Sequence, residues 1–473
     1  MKKLHFHGTI MVASIAVIVT LMFCSFAPAQ SGTSSPAEKK ISLRDAITNA
    51  EANYPRVKLA LAQEAAARGG IDVARNAYLP KLDVLWQINR ATANNIYGLL
   101  LPQSIVPSIS GPVLPANNTQ SAWSSAGGML FTWQPFDFGV RHDQVDAATQ
   151  GSKAASAGVA LTKLELQSAV AAAYFDLATA EQLAVVAQSN VERLETFSKS
   201  VHVLVDNQLR PGADASQADA VLARARTTLM QVQTEVEVRR VMLAGLMGSP
   251  GTHVEVESAL LLTLPPNDDA GASVLPSHPS LKIEDALIHQ QQAQLNALTH
   301  SYVPHFQTEF ALSGRGAGTA LTGAFPGGAA GLAPDTMNWV AGIQVDFPVF
   351  DLFNLRAQKK VQQEQVNAGQ YRLHQAENEL NVAVRQAQAK LNGAQAVLIN
   401  TPIELAAARQ NELQQRTRFS NALATVVEVA EAENVLALAE SDDAVAKINV
   451  WRAQAALAGA RGDLGPFMEK LPH

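Results

Sequence analysis

The sequence predicts a mixed membrane protein in which amphipathic β-strands are joined to very long α-helices. Three observations predict it: strand pairs with one apolar face, helical runs framed by equally spaced prolines, and long helical rods, each occurring once in each half of the chain. The order in each half is helix, strand, strand, long helix, return helix.

The strands carry the membrane reading. From Trp339 to Phe347 the odd positions are Trp339, Ala341, Ile343, Val345 and Phe347, whereas Val340, Gly342, Gln344 and Asp346 hold the even ones. A period of two puts these sets on opposite faces of one strand. In the segment before it, Phe306, Thr308, Phe310 and Leu312 oppose His305, Gln307, Glu309 and Ser313. The predicted strands, 304–314 and 338–348, flank a Gly-rich loop that cannot hold a helix. The first half supplies a pair at 81–92 and 121–134. Leu82, Val84, Trp86 and Ile88 there face away from Asp83, Gln87 and Asn89, with Leu85 as the one exception. The return strand runs from Trp123 through Met129 and Phe131 to Trp133. An apolar face of about ten residues suits lipid, although a soluble sheet with one wet face alternates in the same way. Trp86, Trp123, Trp133, Trp339 and Phe347, read as near strand ends, suit aromatic girdles. Four strands cannot close a barrel, since the smallest membrane barrels need about eight, so strands in lipid force oligomerisation.

Pro55 opens and Pro80 closes a helical run, and Pro279 and Pro304 repeat the frame at the same spacing, for which internal duplication is the simplest cause. Ser42, with Asp45 three residues on, starts a short helix that ends at Asn53. A rod is predicted over 140–208, where Leu166, Val170, Ala173, Leu177, Ala180, Ala184, Ala187, Val191 and Leu194 recur at steps of four and three. Its counterpart spans 355–420, with Leu373, Ala376, Leu380, Val384, Ala387, Leu391, Ala394 and Leu398 on the seam. At 1.5 Å per residue each is a rod of roughly 100 Å. Pro402 predicts a kink or local unwinding in the second. The rods turn back around Leu209-Arg210-Pro211-Gly212 and Phe419-Ser420-Asn421-Ala422 into return helices over 215–246 and 425–460. The expected division is a signal peptide at 1–29, a first repeat at 30–248, a mostly irregular proline-rich connector at 249–278, a second repeat at 279–462 and a tail at 463–473.

Composition agrees. The chain is 47% hydrophobic but only 6% aromatic and 16% charged, rich in alanine and short of side chains for a thick core. Lys2 and Lys3, the apolar run Thr9 to Phe23 and Ala27-Pro28-Ala29 have the form of a secretory signal cut after Ala29. The single cysteine, Cys24, would leave with it. Loss of the two lysines makes the mature chain more negative than the formal −6, which argues against nucleic acid as a partner. No other segment reads as apolar over about 20 residues, against a helical membrane protein. No G-x-S-x-G, H-E-x-x-H or P-loop is present, and the 11 histidines, His202 and His374 among them, are scattered. The reading is a non-enzyme without cofactor or metal.

Over residues 40–462 these features together resemble the TolC-type outer membrane efflux proteins. The residues that carry the likeness are the two proline frames, QPFDFGVR at Gln134 to Arg141, and the two turns, above all RFSNALATVVEVAEA at Arg418 to Ala432. The chain departs from that pattern at Pro402, at Asn421-Ala422 where the family often has glycine, and at Arg210-Pro211 before Gly212. The resemblance implies a homotrimer whose twelve strands form an outer-membrane barrel continued by a periplasmic tunnel of helices. It implies a passive exit duct, fed by an inner-membrane pump through a periplasmic adaptor. Glu428 and Glu431 stand where the family carries paired tip carboxylates, with Asp219 at the equivalent place in the first half, and are the expected gate. Arg210, Pro211, Gly212, Arg418, Asn421 and Ala422 are the expected adaptor-docking tip. The alternative is a periplasmic coiled-coil structural or adaptor protein with a soluble sheet, against which the aromatic residues of the strands argue. Drug, metal, siderophore and exported protein all remain open as substrate.

Overall fold

In chain order the elements are β1 (Lys40–Ile41), α1 (Leu43–Asn53), α2 (Pro55–Asn76), β2 (Lys81–Thr92), β3 (Ser121–Phe136), α3 (Val140–Asp206), α4 (Gly212–Leu246), β4 (Glu255–Val256), α5 (Pro279–His300), β5 (His305–Ala317), β6 (Thr336–Asp346), α6 (Leu352–Ser420), α7 (Val426–Arg461) and α8 (Gly465–Met468). They come from a computed structural model that describes residues 40–94, 100–106, 119–266, 276–320, 322, 324, 326–347, 349 and 351–471. The expected signal peptide, Cys24, Pro348 and Phe350 lie outside the described residues. Pro55 and Pro279 each sit in the first turn of their helix, where a fixed φ helps and no donor is lost.

The two halves share one antiparallel sheet, in the order β2-β3-β5-β6. Its registered rows confirm a face reading. Leu82, Phe131, Phe310 and Ala341 form one row, and Val84, Met129, Leu312 and Trp339 the row two residues on. Leu82, Val84, Trp339 and Ile343 are each more than half exposed, so the apolar face is the uncovered one. At about 3.4 Å per residue and a tilt of about 45°, eleven residues rise roughly 26 Å, the height of a membrane barrel's apolar band. Among the described residues, strands β2 and β6 are edges, each paired on one side only.

The long helices lie side by side as α4, α3, α7 and α6, with α2 and α5 packed on α3. Seam residues Val170, Leu177, Val191 and Leu194 of α3 are buried, as are Val384, Ala387 and Leu391 of α6. The thickest core is at the waist, where α1, the middle of α3 and the C-terminal parts of α4 and α7 meet around Phe175, Leu243, Ile448, Trp451 and Phe467. Each such side chain contributes about 1.5–3 kcal/mol on burial.

The mostly irregular connector holds two short regular pieces: β4 pairs in parallel with β1, and a short 3₁₀ turn follows at Ser258–Leu262. That small sheet is held by Tyr174, whose hydroxyl donates to Ile41 O at 3.0 Å and accepts the Glu257 N–H at 3.2 Å. A stretch of α3 is apolar and long enough to cross a membrane by composition; it is instead packed, with Val170, Phe175 and Leu177 fully enclosed at the waist. Pro402 does not unwind α6, which is continuous from Leu352 to Ser420. The lost N–H costs one helical bond, and packing on α7, with the buried Thr401 hydroxyl 3.4 Å from Asp443, carries the helix through.

Candidate functional site

The two helix turns are built alike. In the first, the Gln208 N–H donates to Val205 O and the Leu209 N–H to Leu204 O, and Gln208 has φ 60°. In the second, the Ala422 N–H donates to Phe419 O and the Leu423 N–H to Arg418 O, and Ala422 has φ 59°. Both are Schellman caps that place a residue with a side chain in the left-handed region usually left to glycine. Gly212 is not the hinge of its turn: it is the first residue of α4, with open space where a Cβ would stand. The residue after each left-handed position is a leucine, Leu209 and Leu423, 69% and 67% exposed. Sequence reading passed over both; their equivalent positions in the two halves were the signal.

Arg210, named with the expected docking tip, is turned inward and half-buried. Its guanidinium lies over the Phe419 ring at 4.7 Å, and its Nη2 donates to Ala424 O at 3.2 Å. Asp214 lies 3.8 Å away. Phe419 packs edge-on against Phe197 at 5.1 Å, and Val201, Ala218, Val426 and Val429 complete a small tip core. The cause is that a cation over a ring keeps its attraction while half desolvated. Pro211, Gly212, Arg418, Asn421 and Ala422 are exposed. Arg418 and Asn421 are turned back on their own helix end, donating to Leu423 O and Thr417 O.

The three acidic candidates have different surroundings. Glu428 closes a capping box on α7: the Thr425 N–H donates to its carboxylate at 2.7 Å, and the Glu428 N–H donates back to Thr425 Oγ1 at 3.3 Å. The backbone and hydroxyl of Thr425 hold this carboxyl below the usual glutamate range. Glu431 is exposed and lines a groove of about 370 Å³ that α4 and α7 form over α3, with Asn190, Gln217, Val427 and Asn434. Asp219 bonds across to α3, 3.0 Å from His202 Nε2 and accepting from Ser198 Oγ at 2.8 Å, and these partners lower its pKa. His202, itself exposed, is therefore a partner of Asp219.

Above the tip lies a charge network that sequence reading missed. Glu433, fully enclosed, bonds Arg193 of α3 at 2.9 Å and Arg416 of α6, while Arg193 reaches Glu440 at 3.1 Å and Arg416 reaches Glu412 at 2.8 Å. Burial, then the charge of Glu433, pushes the Glu412 carboxyl up. The signal was Glu433 on the inward side of α7, two positions from the chosen Glu431.

At the other end all five aromatic candidates are exposed. Trp133 and Phe347 are near the helical end of the sheet, Trp123 is near the far end and Trp339 is three residues into β6, whereas Trp86 is in mid-strand, a correction to its placing near a strand end. Trp86 lies over Gly127, where a Cβ would stand 2.5 Å from its ring.

The family profile described as outer membrane efflux protein matches residues 46–249 and 272–463. Among solved structures, VceC from Vibrio cholerae is similar at 18% identity and TM-score 0.69, over 89% of this chain and 96% of that one. CmeC from Campylobacter jejuni is similar at 14% identity and TM-score 0.70, over 89% and 85%. MtrE from Neisseria gonorrhoeae, in its open state, is similar at 19% identity and TM-score 0.66, over 89% of each chain. No curated protein matches in sequence. Helices and sheet follow the fold of these channels, and the soluble periplasmic alternative is set aside. The chain belongs to the outer membrane efflux protein family, whose members are channels of the outer membrane rather than enzymes.

Proposed function

We propose that the protein is the exit duct of a tripartite efflux or type I secretion system, a homotrimer that passively conducts substrates from an inner-membrane pump and periplasmic adaptor across the outer membrane. The observation that supports it most is a four-stranded sheet with an uncovered apolar face and two unpaired edges. Unpaired backbone groups are not tolerated in lipid, and pairing β6 of one copy with β2 of the next satisfies both edges in a closed ring. Three copies make a twelve-stranded barrel. Residues 1–29 are its signal peptide, and 30–248 and 279–462 its two repeats.

In this reading Glu428, Glu431 and Asp219 constrict the periplasmic mouth, and the exposed tip residues with Leu209 and Leu423 meet the adaptor. Trp86, Trp123, Trp133, Trp339 and Phe347 face lipid. Outer-membrane fractionation with cross-linking in detergent tests the assembly: a band of three chains from that fraction is expected, and only monomer, or recovery from the soluble periplasm, contradicts it.

A further inference from the structure

The face of the sheet opposite the lipid-type face should be polar if it lines a water path. It is not uniformly so. Leu85, Leu130, Ala311 and Val340 point to that side, which the register assigns by their alternation with Val84, Met129, Phe310 and Trp339 of the exposed face. Apolar side chains on a wet wall call for a cover.

The cover is the chain itself. After β2 the backbone doubles back over this face: the Leu101 N–H donates to Oε1 of the buried Gln87 at 3.0 Å. Gln103 then closes a tight turn, its Oε1 accepting the N–H groups of Ile105 and Val106 at 2.7 Å each and its Nε2 donating to Val106 O at 2.9 Å. Val106, 2% exposed, is seated over Gly128, its Cγ2 3.1 Å from where a Cβ would stand. Leu312 O and Ser313 Cβ, at 3.0 and 3.2 Å, close the other sides of that position, so any side chain there contests the seat. Ser104 and Ile105 lie over a cavity of about 360 Å³ walled by Leu130, Glu309, Ala311 and Val340.

The depth is informative. Lys81, the first residue of β2, shares its row with Thr132, Glu309 and Gly342, the row nearest the helices that all four strands share. Residues 100–106, which come after the far end of β2 in the chain, therefore lie back toward its beginning where Ser104 and Ile105 meet Glu309 and Leu130.

We infer that residues 100–106 are a built-in constriction of the duct inside its membrane barrel, separate from the carboxylates at the helix tips, and that they set the size of what leaves. The apolar inner rows are their seat, Gln87 and Gln103 their fasteners, and Gly128 the vacancy that admits Val106. The inference rests on the duct reading for its role, and on the contacts above for its existence.

The test places a cysteine under the segment, Ala311→Cys, where the native side chain is 3% exposed. Labelling is followed in intact cells with an impermeant maleimide of small size and with one carried on a large polymer. With the native segment, slow small-label reaction and no polymer reaction are expected. Replacing residues 100–106 by a Gly/Ser stretch of equal length should speed the small label about tenfold, as for loss of a local protective contact, and admit the polymer label. Gln103→Ala should give an intermediate rate. Gly128→Leu should match the replaced segment, and the Gly/Ser chain carries the test if that variant fails to assemble. Equal labelling with and without the native segment overturns the inference. Labelling does not depend on conduction, so a channel that fails in bilayers counts against the duct and not against the segment.

Discussion

The guanidinium of Arg210 lies 4.7 Å from the ring of Phe419 and joins the two helix turns of one chain. Its bonds to Phe419 O and Ala424 O cross from the first turn to the second. Arg210→Ala is expected to cost about 1–2 kcal/mol, from a half-buried cation–π contact and a charge-assisted bond. Hydrogen exchange should quicken at 419–430 and stay unchanged in the sheet. Arg210→Lys should recover little of it, since a point charge lacks the planar fork.

The left-handed residues Gln208 and Ala422 predict a gain. A side chain in that region costs about 1–2 kcal/mol, part of which glycine returns through its own entropy. Ala422→Gly and Gln208→Gly should each stabilise the tip by about 0.5–1 kcal/mol, read as slower local hydrogen exchange.

Glu433 predicts the largest loss. Glu433→Ala leaves Arg193 and Arg416 facing each other without their shared carboxylate, and breaking such a buried pair costs about 3–5 kcal/mol. Glu433→Gln should fall between. Thermal unfolding of the purified protein measures both, and an unchanged midpoint in Glu433→Ala contradicts the network's role.

Much of this was legible in the chain. Alternation in Trp339–Phe347 and the steps of four and three in α3 come from geometry that repeats along one element, so the sheet faces and seams could be read without a structure. The tip was only half legible. That Arg210 turns inward depends on Phe419, more than two hundred residues away in sequence, and Glu433 differs from Glu431 only by the side of α7 it occupies. Leu85 was visible as an exception, but that its partner across the sheet is Gly128, where Val106 is seated, needs the three-dimensional fold.

The cap at Glu428 predicts a pH dependence. Its folded pKa is lowered by Thr425, so the cap's stabilisation is complete above the ordinary glutamate pKa and is lost as pH falls through the lowered value. The first turn of α7 should fray in that acid range, seen as faster exchange at Val426–Val429. Glu428→Gln should show the fraying at neutral pH and no further change on acidification.

Glu428 and Glu431 together predict selectivity. In the proposed trimer, six such carboxylates around one mouth would favour cations. Glu428→Ala with Glu431→Ala should weaken cation selectivity and abolish block by a trivalent cation in single channels. Unchanged selectivity and block remove both residues from the gate.

Recording from the separated oligomeric and monomeric fractions in planar bilayers tests the duct most directly. Discrete, long-lived conductance steps are expected from the trimer fraction and none from the monomer, because β2 and β6 leave a single copy with two open edges. Silent trimers, or conduction by the monomer, would contradict a barrel closed by three chains.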